Sequence, residues 1–173
     1  LVVTDGQCTY PEWIEIPAKK PDSRDICMVT VDDTLTKNVV VWDAANIGII
    51  QKVNVYVESW EDGYFITAGS TPIDSISQFI DVNSEPKVKS WSYKITTEDG
   101  CGVESEISDA HSTYHLVMNK DTSSKVRLFW KRYVGFPYQQ QYIERYTDVN
   151  GWELIDSVSS SATLYDDFNP PKT

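Results

Sequence analysis

A repeat sets what this chain can fold into. Val39-Val40-Val41-Trp42 resembles Arg127-Leu128-Phe129-Trp130, and the two tryptophans stand 88 positions apart. Gly63-Tyr64-Phe65-Ile66 resembles Gly151-Trp152-Glu153-Leu154 at the same offset. Between these anchors Val55-Tyr56-Val57-Glu58 lies over Ile143-Glu144-Arg145-Tyr146 without a gap. Phe79-Ile80-Asp81-Val82-Asn83 falls on Tyr165-Asp166-Asp167-Phe168-Asn169 at an offset of 86, so two residues have dropped out of a loop. Matches in one order at nearly one spacing define a structural unit.

The unit is made of strands. Residues 26–31, 37–42, 53–59, 64–68 and 91–97 are short runs rich in Val, Ile, Tyr and Thr. Asp, Asn, Gly, Ser and Pro separate them. No segment keeps a helical period over three turns. Glu61-Asp62-Gly63 and Asp148-Val149-Asn150-Gly151 sit between paired runs and supply the positive φ of tight hairpins. A repeat of this length with about seven short strands has the size of an immunoglobulin-like sandwich. The expected fold is all-β.

Each unit resembles a fibronectin type III module. That family carries a core Trp on its second strand, matched by Trp42 and Trp130. It carries a Tyr on its third strand, for which Tyr56 or Tyr142 would serve, and another on its sixth, matched by Tyr93. The early 26–31 run and the late 99–106 run are similar to modules of large secreted bacterial proteins. The resemblance implies tandem β-sandwiches, a complete module at 22–112 and a partial one at 113–173. The partial module has strands A to E and lacks counterparts of strands F and G. Residues 1–17 match the F–G hairpin of a preceding module, because Val2-Val3-Thr4-Asp5-Gly6-Gln7-Cys8 resembles Ile95-Thr96-Thr97-Glu98-Asp99-Gly100-Cys101. The alternative is an ordinary N-terminal extension. If the match holds, residues 1–17 of one molecule could complete the partial module of another by strand complementation.

Charge and composition exclude some functions. The formal net charge is −11, whereas nucleic-acid binding needs a basic face. No run of about 18 apolar residues exists, so no helical membrane span is expected. The first residues have neither the basic region nor the apolar core of a signal peptide, and the start without Met suggests a processed or excised fragment.

Cys8, Cys27 and Cys101 make an odd count, and no C-x-x-C spacing occurs. The resemblance puts the start of strand A and the F–G turn at one end of the sandwich. It therefore implies a structural disulfide between Cys27 and Cys101, worth on the order of 4 kcal/mol in the loop-entropy picture. Two reduced thiols are the alternative. Cys8 would then pair upstream of this sequence.

Candidate chemistry is sparse. His111 and His115 are four apart, a metal spacing on a helix, but along a strand that places them roughly 13 Å apart, so linker roles are expected. Gly-x-Ser-x-Gly is absent, and neither His sits with a nucleophile and an orienting acid. No catalytic residue and no required cofactor is expected. Calcium is the ion Asp32-Asp33 or Asp166-Asp167 would suit, without the spacing of an EF-hand; turn-forming roles are the alternative. Trp60, Trp91, Phe136 and Tyr138 are candidate interaction residues. Trp60 and Trp91 are expected to be partly exposed, and the aromatic stretch Tyr133, Phe136, Pro137 and Tyr138 to pack at the junction with the preceding module, a ligand surface being the alternative.

These features describe a non-catalytic spacer, scaffold or protein-interaction segment of a secreted or cell-surface multidomain protein. Its partners would be the parent's other domains or a protein ligand. A carbohydrate-binding accessory module of a secreted enzyme or adhesin is the alternative, with Trp60 as its test residue.

Overall fold

The computed structural model describes residues 2–4, 9–11 and 120 by their backbone, and 19–32, 36–44, 49–119 and 125–170 in full. The described regular structure is antiparallel β throughout, with no helix. It opens with a hairpin, β1 (Val2–Thr4) and β2 (Thr9–Pro11), in which Val2 pairs Pro11 and Thr4 pairs Thr9. Cys8 and most of the second half of the expected 1–17 hairpin lie outside the described residues.

The first unit contains β3 (Ile26–Asp32), β4 (Lys37–Trp42), β5 (Ile50–Glu58), β6 (Phe65–Pro72), β7 (Gln78–Asp81), β8 (Ser92–Asp99) and β9 (His111–Ser112). They form two sheets, β3-β4-β7 and β6-β5-β8-β9. Period-two alternation drives this arrangement. Val53, Val55 and Val57 of β5 and Tyr93 and Ile95 of β8 turn to one face. They meet Ile26, Val29, Val40 and Trp42 of the other sheet in one buried cluster. Each such side chain contributes about 1.5–3 kcal/mol by leaving water. This is a fibronectin type III-like sandwich, with Trp42 on its second strand and Tyr93 on its sixth.

Polar groups at the base of this core are paired. The Tyr93 hydroxyl accepts from Asn38 Nδ2 at 2.9 Å and donates to Asp81 Oδ2 at 2.8 Å. Burial, with the Asp81 charge, pushes the phenol's ionisation far upward, so it stays a neutral donor. Ser84 Oγ accepts from the Asn38 N–H and donates to the Asp81 carbonyl.

The second unit repeats β3 to β7 of the first strand by strand. Its strands are β10 (His115–Lys120), β11 (Val126–Lys131), β12 (Gln140–Thr147), β13 (Gly151–Ser159) and β14 (Leu164–Asp167). The sheet β10-β11-β14 reproduces β3-β4-β7, and β12-β13 reproduces β5-β6. The register agrees in detail. In the first unit Asn38 pairs Asp81, and in the second Val126 pairs Asp167, which recovers the 88 and 86 offsets. A bulge interrupts β5–β6 at Val55/Tyr56 and β12–β13 at Ile143/Glu144, one repeat apart. The hairpin turns close through Gly63 (φ 78°) and Gly151 (φ 73°), also one repeat apart, a backbone region open to glycine.

One expectation is corrected. Cys27 and Cys101 are both free and exposed, with no bond between them. Cys27 is the extra residue of a bulge between Ile26 and Met28. Thr97 Oγ1 donates to the Asp22 carbonyl at 2.8 Å. Val29, two residues past Cys27, bonds Tyr133 at the end of the sandwich where β8 begins, whereas Cys101 lies past Asp99, at the other end of β8. The length of β8, at about 3.3 Å per residue, puts these ends on the order of 20 Å apart, whereas a disulfide needs Cα atoms within about 7 Å. Tyr56 and Tyr142 both stand on the third strand of their units, β5 and β12. Tyr56 donates outward to Glu104 Oε2, and Tyr142 is exposed.

Candidate functional site

The junction between the two units is the most elaborated region of the described surface. Its backbone has little slack, since only two residues separate β9 from β10. Thr113 N–H donates to the Trp91 carbonyl at 2.9 Å, and its Oγ1 accepts from the Trp91 N–H at 3.0 Å. Ser112 and Val134 exchange two backbone hydrogen bonds, at 2.8 and 3.1 Å. This short ladder ties the last strand of the first unit to a loop of the second.

Tyr133 locks the junction. Its ring is buried, and its hydroxyl accepts from the Val29 N–H of β3 at 2.9 Å. The same oxygen lies 2.9 Å from His111 Nδ1. A phenol oxygen that already accepts one N–H is best used as a donor to the ring nitrogen. The contact therefore selects the neutral imidazole with its proton on Nε2. Burial lowers the His111 pKa, against an opposing pull from Asp25 and Asp109. Gly135 (φ 148°) lies flat against the imidazole: a Cβ there would fall 2.3 Å from His111 Nδ1.

Aromatic rings fill the space around this lock. Tyr133 and Phe136 have centroids 4.7 Å apart, and Tyr133 stands edge-on to His111 at 5.8 Å. Tyr114 reaches Tyr133 at 6.0 Å and Tyr138 at 6.5 Å. Burial raises the Tyr114 hydroxyl pKa, with Tyr138 adding to the shift. Such pairs contribute roughly 0.5–1.5 kcal/mol each beyond their area.

Phe136 and Tyr138 thus sit in one cluster with Tyr133, of the same aromatic stretch, and with Tyr114, which the sequence did not single out. The short spacing of Tyr133, Phe136 and Tyr138 is their only sequence signal. Val29 and His111 had none, because their partner is supplied by the other unit. The structure keeps the two histidines apart in role: His115 Nε2 lies 3.1 Å from the Lys87 carbonyl. Among the described residues no group of three or more His, Cys, Asp or Glu is placed to hold a metal ion. Asp166 accepts from Arg127 at 2.6 and 2.9 Å and from Lys125 at 3.1 Å, and these cations hold its carboxyl far below the usual range. Asp167 is bound by Arg145 Nη1 at 2.8 Å. Asp33 lies outside the described residues.

Trp60 and Trp91 form a separate surface feature. Trp60 is 94% exposed. Lys89 Nζ stands 4.8 Å from its ring centre and 4.5 Å from that of Trp91, cation–π distances to both rings. Trp91 Nε1 donates to the Glu85 carbonyl.

Beside the junction a groove of about 710 Å³ opens onto the second unit, lined by Met28 and Thr30 of β3 and by Leu116, Leu128, Trp130 and Ile143. Its sheets meet through polar contacts: Trp130 Nε1 donates to Gln141 Oε1 at 2.7 Å, and Arg145 reaches Asp167.

No family model and no curated protein matches the chain. Among solved structures it is similar to an Fn3-like protein from Clostridium thermocellum, at 14% identity over 53% of this chain and 90% of that one, with a TM-score of 0.42. It is also similar to the FN1–FN3 domains of chicken CNTN1, at 12% identity over 85% of this chain and 56% of that one, with a TM-score of 0.43. The chicken interferon gamma receptor alpha chain is similar at 12% identity over 87% and 84%, with a TM-score of 0.36. The fold assignment rests on the strand order and register. No helix among the described residues is long and apolar enough to cross a membrane.

Proposed function

We propose that the chain is a non-catalytic spacer and interaction segment of an extracellular multidomain protein. Its work is to hold neighbouring parts at a set distance and orientation. The observation that carries this reading is the Tyr133 lock, in which one hydroxyl of the second unit bonds a backbone N–H and a histidine of the first. A flexible tether would not need a buried, doubly bonded tyrosine. NMR relaxation tests it. The two units should tumble with one correlation time, and independent tumbling would sink the proposal.

The exposure of Trp60 favours a second reading, a carbohydrate-binding accessory module. Lys89 already stands close to the ring, which weighs against a sugar stacking on that face. Retention on a polysaccharide matrix that Trp60→Ala abolishes would support this reading over the first.

A further inference from the structure

The lock between the units is closed by a histidine, the one side chain whose unperturbed charge changes between about pH 5 and 8. His111 sits on β9 and is 6% exposed. The Tyr133 hydroxyl oxygen has two neighbours there, the Val29 N–H and His111 Nδ1, each at 2.9 Å. With Nδ1 bare, each contact has one proton. The amide donates to the oxygen, and the hydroxyl donates to the imidazole. A proton on Nδ1 breaks this pairing. Two N–H groups then point at one oxygen, whose own proton has lost its acceptor. The ring has little room to turn away while the units are docked. A Cβ on Gly135 would fall 2.3 Å from Nδ1, and Tyr133 and Phe136 stand at 5.8 and 6.2 Å between ring centres.

We infer that the junction is an acid-released latch, in which protonation of His111 breaks the Tyr133 bond and frees the second unit to move on the short connection between β9 and β10. The groups around the ring set the balance. From β8, Tyr93 pairs His111 in register and is kept neutral by burial. The titratable group of β3 near the lock is the exposed Cys27 thiol, which acts on Tyr133. The second unit faces the ring with Tyr133 and Phe136, and behind them stand the phenols of Tyr114 and Tyr138. Asp25, before β3, and Asp109, before β9, favour the charged ring. Burial outweighs both and lowers its pKa. Above the ordinary value of about 6.5 the neutral ring holds the latch shut. Below it the open form binds the proton more tightly than the shut one. The ratio of shut to open then falls by up to about tenfold per pH unit, until the docked ring's own pKa is reached. Val134 follows Tyr133 directly, so its two backbone bonds with Ser112 open in the same event.

This inference rests on the spacer reading and names its regulation. Amide hydrogen exchange on the full chain tests it, about one pH unit above and about one below 6.5, with each rate divided by the intrinsic rate at that pH. In wild type the protection of the Val29, Ser112 and Val134 amides should fall together on acidification, by about threefold to tenfold. The Ile95 amide, which donates to Ser108 Oγ in the first unit, should keep its protection. His111→Gln retains a side-chain oxygen that accepts from Tyr133, and should hold the three junction amides equally protected at both pH values. Unchanged protection in wild type overturns the inference. An equal fall in His111→Gln overturns it too, by assigning the proton to another group. A fall of the same size at Ile95 overturns it by showing that the whole unit opens rather than the junction. The spacer reading is tested apart from this, by common tumbling at the higher pH, and a latch that stays shut in acid leaves it intact.

Discussion

Replacing Tyr133 by Phe keeps the ring and removes one oxygen, so the cost is the worth of its bonds. The Val29 N–H is buried in β3 and donates outward to that oxygen. Without it the amide is left unsatisfied, a penalty of about 1–3 kcal/mol. His111 Nδ1 loses its other bond, worth roughly 0.5–1.5 kcal/mol net. The sum is about 1.5–4.5 kcal/mol, on the order of 10 °C or more in the melting temperature of a domain this size. The location of the loss is more telling than its size. Tyr133 belongs to the second unit and Val29 to the core of the first. Calorimetry and urea titration of Tyr133→Phe should therefore show the first unit's transition moving down. A double-mutant cycle with His111→Gln should return a coupling of about 0.5–1.5 kcal/mol for that arm. A loss below about 0.5 kcal/mol, or one confined to the second unit's transition, would refute the reasoning.

Other perturbations follow from the same geometry. His111 has a folded-state pKa below its unfolded value, so folding favours the neutral ring. Stability at the junction is fully present above the unfolded value of about 6.5 and is lost as pH falls from there toward the folded pKa. Wild type should lose stability in that window relative to His111→Gln, and parallel curves would count against the assignment. Gly135→Ala puts a methyl carbon into the imidazole and an L residue at φ 148°. It should cost at least as much as Tyr133→Phe, about 3 kcal/mol, measured by urea unfolding. Ser108 Oγ accepts from the buried Ile95 N–H. Ser108→Ala should cost about 1–3 kcal/mol, and hydrogen exchange at the Ile95 amide should accelerate. Cys27 and Cys101 should both react with a thiol reagent in the folded protein, and protection of the pair until reduction would restore the disulfide.

Much of the architecture was legible because it is written locally. Alternation along 53–57 and 91–97, the glycines at 63 and 151 and the 88-residue offset act within a strand or turn. Even the two-residue deletion reappears, as the shifted pairing of Val126 with Asp167. What was hidden depends on partners far apart in the chain. Val29 and Tyr133 are 104 positions apart, and the aromatic stretch that holds Tyr133 does not show that Val29 is its partner. Tyr56 sits in an inward-looking apolar run but faces outward, where Glu104 takes its hydroxyl. The cysteine pairing failed for a directional reason. Sharing a sandwich does not bring two residues within bonding reach when they stand at its opposite ends.

The two-residue connection between His111–Ser112 and His115–Lys120 changes how weak contacts at the junction add up. Tethering this tight turns a bimolecular encounter into an intramolecular one, at an effective concentration in the millimolar range or above. Bonds too few to hold two separate proteins together can then form almost all the time. The corollary is that the junction belongs to the intact chain alone. The two units, cut apart and mixed at ordinary concentrations, would not find each other again.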